Sequence, residues 1–338
     1  GGRILALPEI GLPWELDGEL HTLGQHDFAG RLTSNMTAHP KIDPKTGEMM
    51  FFGYDVVPPF LRYHRVNADG DLVQSVDIDI PRSVMMHDFA VTQSRVVFMD
   101  LPVVTNLELV AEGVQLPFEW SDDHQARLGV LDRNATEDEV QWIDIDPCFV
   151  FHPLNSFDDG DKIVMDVVRY EKVFTNAESK PFNKGSTLVR WTIDPASRSV
   201  ETQILSEIDQ EFPRVNPRIE CHAHRYGYAI AAGGPHSFKG LLKHDLLTGD
   251  TAHYNPGAQY AGGEPVFVPR SDTGDGAEDG SEEAAEDAGF ILSVMYNADT
   301  ELSELHVLDA QTFTAAPLAI VKLGARVPFG FHGNYVQT

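Results

Sequence analysis

Five stretches of the chain follow one plan, and that plan restricts the fold more than any other feature. LRYHRVNADGDLVQSVDI from Leu61, LGVLDRNATEDEVQWIDI from Leu128, LVRWTIDPASRSVETQIL from Leu188, LLKHDLLTGDTAHY from Leu241 and LHVLDAQTFTAAPLAIV from Leu305 each pair two alternating apolar-polar runs across an Asp or Asn turn. Alternation with a period of two is the pattern of a strand with one buried face, so each stretch reads as a hairpin. Their starts are separated by 67, 60, 53 and 64 residues. A lone hairpin cannot bury its apolar face, and hairpin units repeating every ~60 residues fit the blades of a β-propeller with long loops.

Between the hairpins lie strands of another kind: GEMMFFGY, RVVFMDL, KIVMDVVRY, YGYAIAAGG and GFILSVMY. They are apolar on both faces, as inner strands packed sheet against sheet must be. Helical periodicity is nearly absent. The expected fold is therefore an all-β propeller. The chain opens with GGRILALPEI, strand-like from its first residues, and the expectation is that an N-terminal portion of the propeller, with any targeting signal, precedes it.

Bulk chemistry narrows the partners. A formal charge of -27, with only 25 Lys and Arg scattered along 338 residues, supplies no basic face for phosphates and excludes nucleic acid. Part of the acidic excess sits in 271–287, SDTGDGAEDGSEEAAED, which reads as a solvated, flexible acidic loop. A calcium loop would need regularly spaced oxygen ligands and a fixed turn. Two cysteines, Cys148 and Cys221, give no disulfide framework and point to a reducing, cytoplasmic setting. No run of about 18 uncharged apolar residues is present to span a bilayer.

The unusual polar residues fall at recurring places. His39, His87 and His152 each open a unit whose next strand is the doubly apolar type, and His332 in VPFGFHGNYV is expected in an equivalent strand. Equivalent positions of different blades meet around the propeller axis, so four imidazoles distant in sequence can converge. A set of neutral imidazoles without thiolate suits a metal of intermediate softness with open coordination positions, favouring an oxygen-activating ferrous centre over structural zinc. Against this, His64, His244 and His306 also recur, on strands where exposure is expected, so recurrence alone does not decide. Glu9, Glu211 and Glu264 sit beside Pro and apolar residues, where a carboxylate is costly unless paired. Metal-binding His commonly donates its other N–H to a carboxylate, which gives these three a role behind the ligands. His222 and His224 in ECHAHRYGY form an H-x-H pair with no third ligand in view and read as hydrogen-bonding residues.

The strings TAHPKIDPKTGE, MMHDFAVT, EFPRVNPR, GEPVFVPR and VPFGFHGNYV, in this order, resemble the motifs of the carotenoid cleavage oxygenase family across nearly the whole chain. The resemblance implies a seven-bladed β-propeller, incomplete here at its N-terminus, with Fe(2+) on the axis. It implies that His39, His87, His152 and His332 are the catalytic iron ligands, backed by Glu9, Glu211 and Glu264. Tyr335 stands where the family carries an aromatic, often Trp, and the acidic stretch looks like a local insertion.

The implied reaction is cleavage of a carbon-carbon double bond by O2, giving two carbonyl products from an apolar conjugated carotenoid or apocarotenoid. Phe98, Phe149, Phe157 and Phe329 are the expected tunnel residues, each with ordinary blade packing as its alternative. Val84, Met85, Met86 and Leu101 to Val104 are the expected surface for a peripheral membrane contact. Two other readings stay open: a stilbene-cleaving dioxygenase of lignostilbene type, and a propeller that serves as a non-catalytic binding scaffold or inactive fragment.

Overall fold

The computed structural model describes residues 2–175, 185–233, 238–270 and 285–336. These build seven antiparallel sheets, a two-stranded pair of Val103–Thr105 with Phe118–Trp120 and six that serve as blades. The first blade is three-stranded, from Ile4–Ala6, Trp14–Leu16 and Thr22–Gln25; the second joins Lys41–Ile42, Met49–Tyr54, Leu61–Val66 and Leu72–Ile78. The third joins Ala90–Val91, Arg95–Asp100, Arg127–Asp132 and Gln141–Asp144; the fourth Phe149–Asp159, Lys162–Tyr170, Ser186–Asp194 and Ser199–Ser206. The fifth joins Gln210–Arg214, Tyr226–Ala232, Phe238–Asp245 and Asp250–Tyr254. In the sixth, Tyr260–Ala261 and Val266–Pro269 both pair with Gly289–Asn297, which continues to Leu302–Asp309 and Ala319–Lys322.

All-β propeller architecture is thus as expected, with six blades in place of seven. The five hairpins are the third and fourth strands of blades two to six, and the doubly apolar runs are their second strands. One hairpin repeat makes one blade. The five repeats give five blades, and the small three-stranded sheet of the N-terminal residues is the sixth.

Burial follows strand position. Met49–Tyr54 is buried almost throughout, while Leu72–Ile78 alternates buried and exposed at every residue. The main apolar core runs through blades two to four, from Phe52 and Tyr63 to Phe98, Phe149, Met165 and Trp191; a second cluster lies in blades five and six around Tyr228, Leu241 and Phe267. Each such large side chain stabilises the fold by roughly 1.5–3 kcal/mol relative to exposure. Turn chemistry sets the hairpins: in the fifth blade Asp245 accepts from the Leu247 N–H at 3.1 Å and Gly249, at φ 81°, closes the reversal.

His64, His244 and His306 are buried, contrary to the expected exposure. Each lies on the third strand of its blade, and His64 and His244 bridge hydroxyl or amide groups through both ring nitrogens. His64 reaches Ser34 and Ser75 Oγ at 2.8 Å each, and His244 reaches Thr251 Oγ1 at 2.9 Å and Gln210 Oε1 at 2.7 Å. His306 Nδ1 reaches the Tyr254 hydroxyl at 2.9 Å. Satisfied neutral imidazoles can be buried between blades, and burial holds His64 down to about 3 and His244 to about 4.

Segment 216–225 ties the blades together. Asn155 Nδ2 donates to the Ile219 and His222 carbonyls, His222 Nε2 lies 3.2 Å from Asp43 Oδ1, and Asn216 Nδ2 donates to the Glu286 carbonyl. Blades two, four and six are thereby joined through a loop of blade five. Most of the acidic stretch, 271–284, lies outside the described residues. Its end is fixed: Glu286 accepts from the Arg225 and Tyr226 N–H groups, and Asp287 pairs with Lys243 at 2.7 Å.

Candidate metal centre

Each of the four histidines reaches the site by a different local device. The segment before the second blade crosses over Gly53, where any Cβ would collide with the Asn35 carbonyl oxygen. Beyond that crossing the Thr37 N–H donates to the Phe52 carbonyl at 2.7 Å, setting His39 two residues on. Thr37 Oγ1 accepts from the His39 N–H and donates to the His87 carbonyl, at 3.2 Å each, so one hydroxyl spaces two of the imidazoles. His87 follows a segment pinned by the Met85 N–H to Val103 carbonyl bond at 2.8 Å.

His152 lies in the strand Phe149–Asp159, where the ladder shifts register between Val150 and Pro153. Pro153 has no N–H to give the ladder, so the strand bulges there and the ring is re-aimed. His332 stands in an irregular, exposed segment after the last strand, not in the expected strand. Its ring is fixed by side chains instead of by a ladder.

The structure brings all four together. One ring nitrogen from each of His39, His87, His152 and His332 lies within 4.8 Å of the others. His87 Nε2 is 3.0 Å from His39 Nε2 and 3.1 Å from His152 Nε2. Imidazole nitrogens do not crowd together in a protein interior without a reason, because their lone pairs repel unless a proton or a cation lies between them. The donor chemistry fits a divalent transition metal.

The three glutamates stand behind this cluster in one-to-one pairs. His87 Nδ1 is 2.9 Å from Glu9 Oε1, His152 Nδ1 is 2.6 Å from Glu211 Oε2, and His332 Nδ1 is 2.9 Å from Glu264 Oε1. A carboxylate accepting the Nδ1–H fixes the tautomer in which Nε2 carries the lone pair. The glutamates are held in turn from outside. Tyr54 donates to Glu9 at 2.8 Å, Tyr170 to Glu211 at 3.2 Å, and Arg214 lies 3.5 Å from Glu264. Glu211 also accepts the N–H of Phe212, whose φ of 51° is left-handed backbone that a bulky residue rarely adopts.

Electrostatics separate the ligands. At His87 burial acts downward, but the Glu9 carboxylate outweighs it and raises the ring above the usual imidazole value. His39 and His152 favour the neutral form. Burial, reinforced by the neighbouring imidazoles, holds His39 and His152 well below the usual imidazole range. Burial pushes Glu211 up to about 7. For Glu9 and Glu264 burial acts upward too, but the hydrogen bonds to His87 and His332 outweigh it and both lie below the usual carboxylate value.

Sequence reasoning missed several groups. Tyr54, Tyr170 and Arg214 are ordinary strand residues by pattern, and nothing in their spacing marks them as donors to the glutamates. The aromatic neighbours differ as well. Phe151 lies 5.8 Å from the His87 ring, and Phe212 lies 5.3 Å from both His152 and His332. Of the residues expected to line a tunnel, Phe98 packs on Tyr63 and Phe89, Phe149 on Phe151 and Phe174, Phe157 on His224, and exposed Phe329 on Tyr296.

Val84, Met85, Met86, Leu101, Val103 and Val104 are buried, so they form no membrane-facing surface. An isolated bridge between Val84 and Val104 seals them against each other. His222 and His224 face different partners, Asp43 at 3.2 Å and Asp166 at 3.1 Å, and do not form one site.

Comparison with known proteins agrees with this geometry. The model of the retinal pigment epithelial membrane protein family matches residues 1–337. A carotenoid 9,10(9',10')-cleavage dioxygenase of Crocus sativus is 34% identical over 99% of this chain, and the chain spans 64% of that relative's length. A carotenoid cleavage oxygenase of Mycobacterium tuberculosis is 33% identical over the whole chain, which covers 75% of it. Among solved structures, the lignostilbene dioxygenase of Pseudomonas brassicacearum superposes with a TM-score of 0.88 at 31% identity, covering 100% of this chain and 74% of that one. Cobalt-substituted Synechocystis ACO gives 0.87 at 30% identity, covering 99% and 72%. With its propeller, its converging histidines and a family match from end to end, the chain belongs to the retinal pigment epithelial membrane protein family, that of the carotenoid cleavage oxygenases.

Proposed function

We propose that this chain carries the catalytic centre of a non-haem iron(II) dioxygenase that cleaves a carbon-carbon double bond of a carotenoid or apocarotenoid with O2, giving two carbonyl products. The observation that carries the reading is the convergence of His39, His87, His152 and His332 within 4.8 Å, three of them with a glutamate on the far ring nitrogen. Iron(II), when bound, supplies the one-electron chemistry that lets ground-state O2 react with an alkene.

The chain's own residues do the rest. The four imidazoles bring no charge to the site, so a bound dication keeps its positive character. Glu9, Glu211 and Glu264 hold three rings in the tautomer that turns Nε2 inward and strengthen them as donors. Phe151 and Phe212 present aromatic surface beside the rings, suited to an apolar conjugated chain and to excluding water. No general acid or base is required, because oxygen atoms are added and no proton has to be moved to break the double bond.

The names of the relatives support a carotenoid-type substrate over a phenolic stilbene. The test is incubation of the full-length, iron-loaded protein with a carotenoid, an apocarotenoid and a hydroxystilbene under O2, with the carbonyl products identified by mass. Apocarotenoid aldehydes or ketones from the first two are expected. Turnover of the stilbene alone would overturn the substrate assignment, and turnover of none would overturn the enzymatic reading.

A further inference from the structure

Three of the four imidazoles have a carboxylate on Nδ1 at 2.6–2.9 Å, and the fourth does not. The carboxylate nearest to His39 Nδ1 is that of Asp88, whose Oδ2 stops 3.7 Å away, beyond hydrogen-bond reach. Asp88 is almost wholly buried and is held from two other sides. Its Oδ1 accepts the Phe89 N–H at 2.7 Å, and Lys41 Nζ straddles both oxygens at 2.9 and 3.0 Å. Lys41 follows His39 by two residues and Asp88 follows His87 by one, so two neighbouring ligand segments supply this ion pair.

We infer that Lys41 is a positioning residue that holds Asp88 off His39, leaving His39 the weakest donor of the four ligands. The inference rests on the metal reading above. Charge explains why a protein would build this. Three glutamates already surround a site meant for one dication, and a fourth free carboxylate would leave a second uncompensated negative charge buried there. Lys41 cancels that charge and draws the Asp88 oxygens toward its ammonium group. The centre then has three carboxylate-backed imidazoles and one that is not, an asymmetry that the four histidines alone do not reveal.

Removing the ammonium should free Oδ2 while Phe89 still anchors Oδ1, and a shift of about 1 Å would bring Oδ2 within hydrogen-bond reach of the His39 Nδ1–H. The experiment titrates metal-free protein with cobalt(II), whose visible d–d bands report ligand strength. It uses the wild type, Lys41→Met, Lys41→Arg and the double variant Lys41→Met/Asp88→Asn. Lys41→Met is expected to bind cobalt roughly 10-fold more tightly with shifted bands, on the scale of a gained hydrogen-bond partner to a ligand. Lys41→Arg should keep the wild-type bands, and the double variant should return to them.

Unchanged bands and affinity in Lys41→Met, or a shift that persists in the double variant, would overturn the inference. If Lys41→Met does not fold, as judged by its melting curve, the ligand series decides. His39→Ala should cost several-fold less cobalt affinity than His87→Ala or His152→Ala, and equal losses would overturn the inference. Failure of the wild type to bind cobalt at all is a separate outcome, since it would remove the metal reading itself.

Discussion

Glu211 Oε2 lies 2.6 Å from His152 Nδ1, and both side chains are buried. A carboxylate in that position would be expensive without the ring N–H, the Phe212 N–H and the Tyr170 hydroxyl around it. Its placement makes sense as a support for the ring, which needs a fixed tautomer and a fixed direction to serve as a ligand.

Glu211→Gln keeps the shape and removes the charge. Metal affinity is expected to fall roughly 10- to 100-fold, read by competition against a chelator, while the melting temperature of the metal-free protein changes little. An affinity equal to wild type would remove Glu211 from the site's machinery.

Gly53 tests how the chain delivers His39. Gly53→Ala forces a Cβ against the Asn35 carbonyl oxygen, which is backbone and cannot step aside. A stability loss of about 1–3 kcal/mol is expected in denaturant unfolding, as for other overpacked sites. Metal affinity should fall with it, because the displaced segment carries Thr37 and His39.

Asp43 gives a pH-dependent test away from the metal. Burial acts upward on its carboxyl, but the Lys45 N–H, Arg133 and His222 outweigh that and hold it down at about 2, against 3.8 when unfolded. A lowered folded value means that the stabilisation is present above the unfolded value and is lost as pH falls through the folded one. Asp43→Asn should therefore cost roughly 2 kcal/mol near neutrality. The deficit should shrink between about pH 4 and pH 2, measured by urea unfolding across that range. A deficit that does not change with pH would contradict the ion-pair account.

Much of the fold was legible because the hairpins state it directly. Alternation in LVQSVDI and its absence in MMFFGY mark outer and inner strands, and the structure shows that difference in burial. The ligand set was legible through recurrence together with the ordered motifs. What escaped were features set by contacts between distant segments. His64, His244 and His306 look like surface residues because the hydroxyl and amide partners that make their burial tolerable come partly from elsewhere in the chain. Phe151 and Phe212, next to His152 and Glu211 in sequence, were within reach, since they flank the proposed ligand and its partner. Tyr54, Tyr170 and Lys41 carry no local signal, because their roles depend on which carboxylate the fold sets opposite them.

The central claim is that four histidines hold one metal ion. The most direct measurement is iron content per chain of the full-length protein purified under anaerobic conditions, for the wild type and for His87→Ala and His152→Ala. The account expects close to one iron per chain in the wild type and a loss of most of it in either variant, with the folded β-sheet signature retained. Stoichiometric iron in both variants would contradict it.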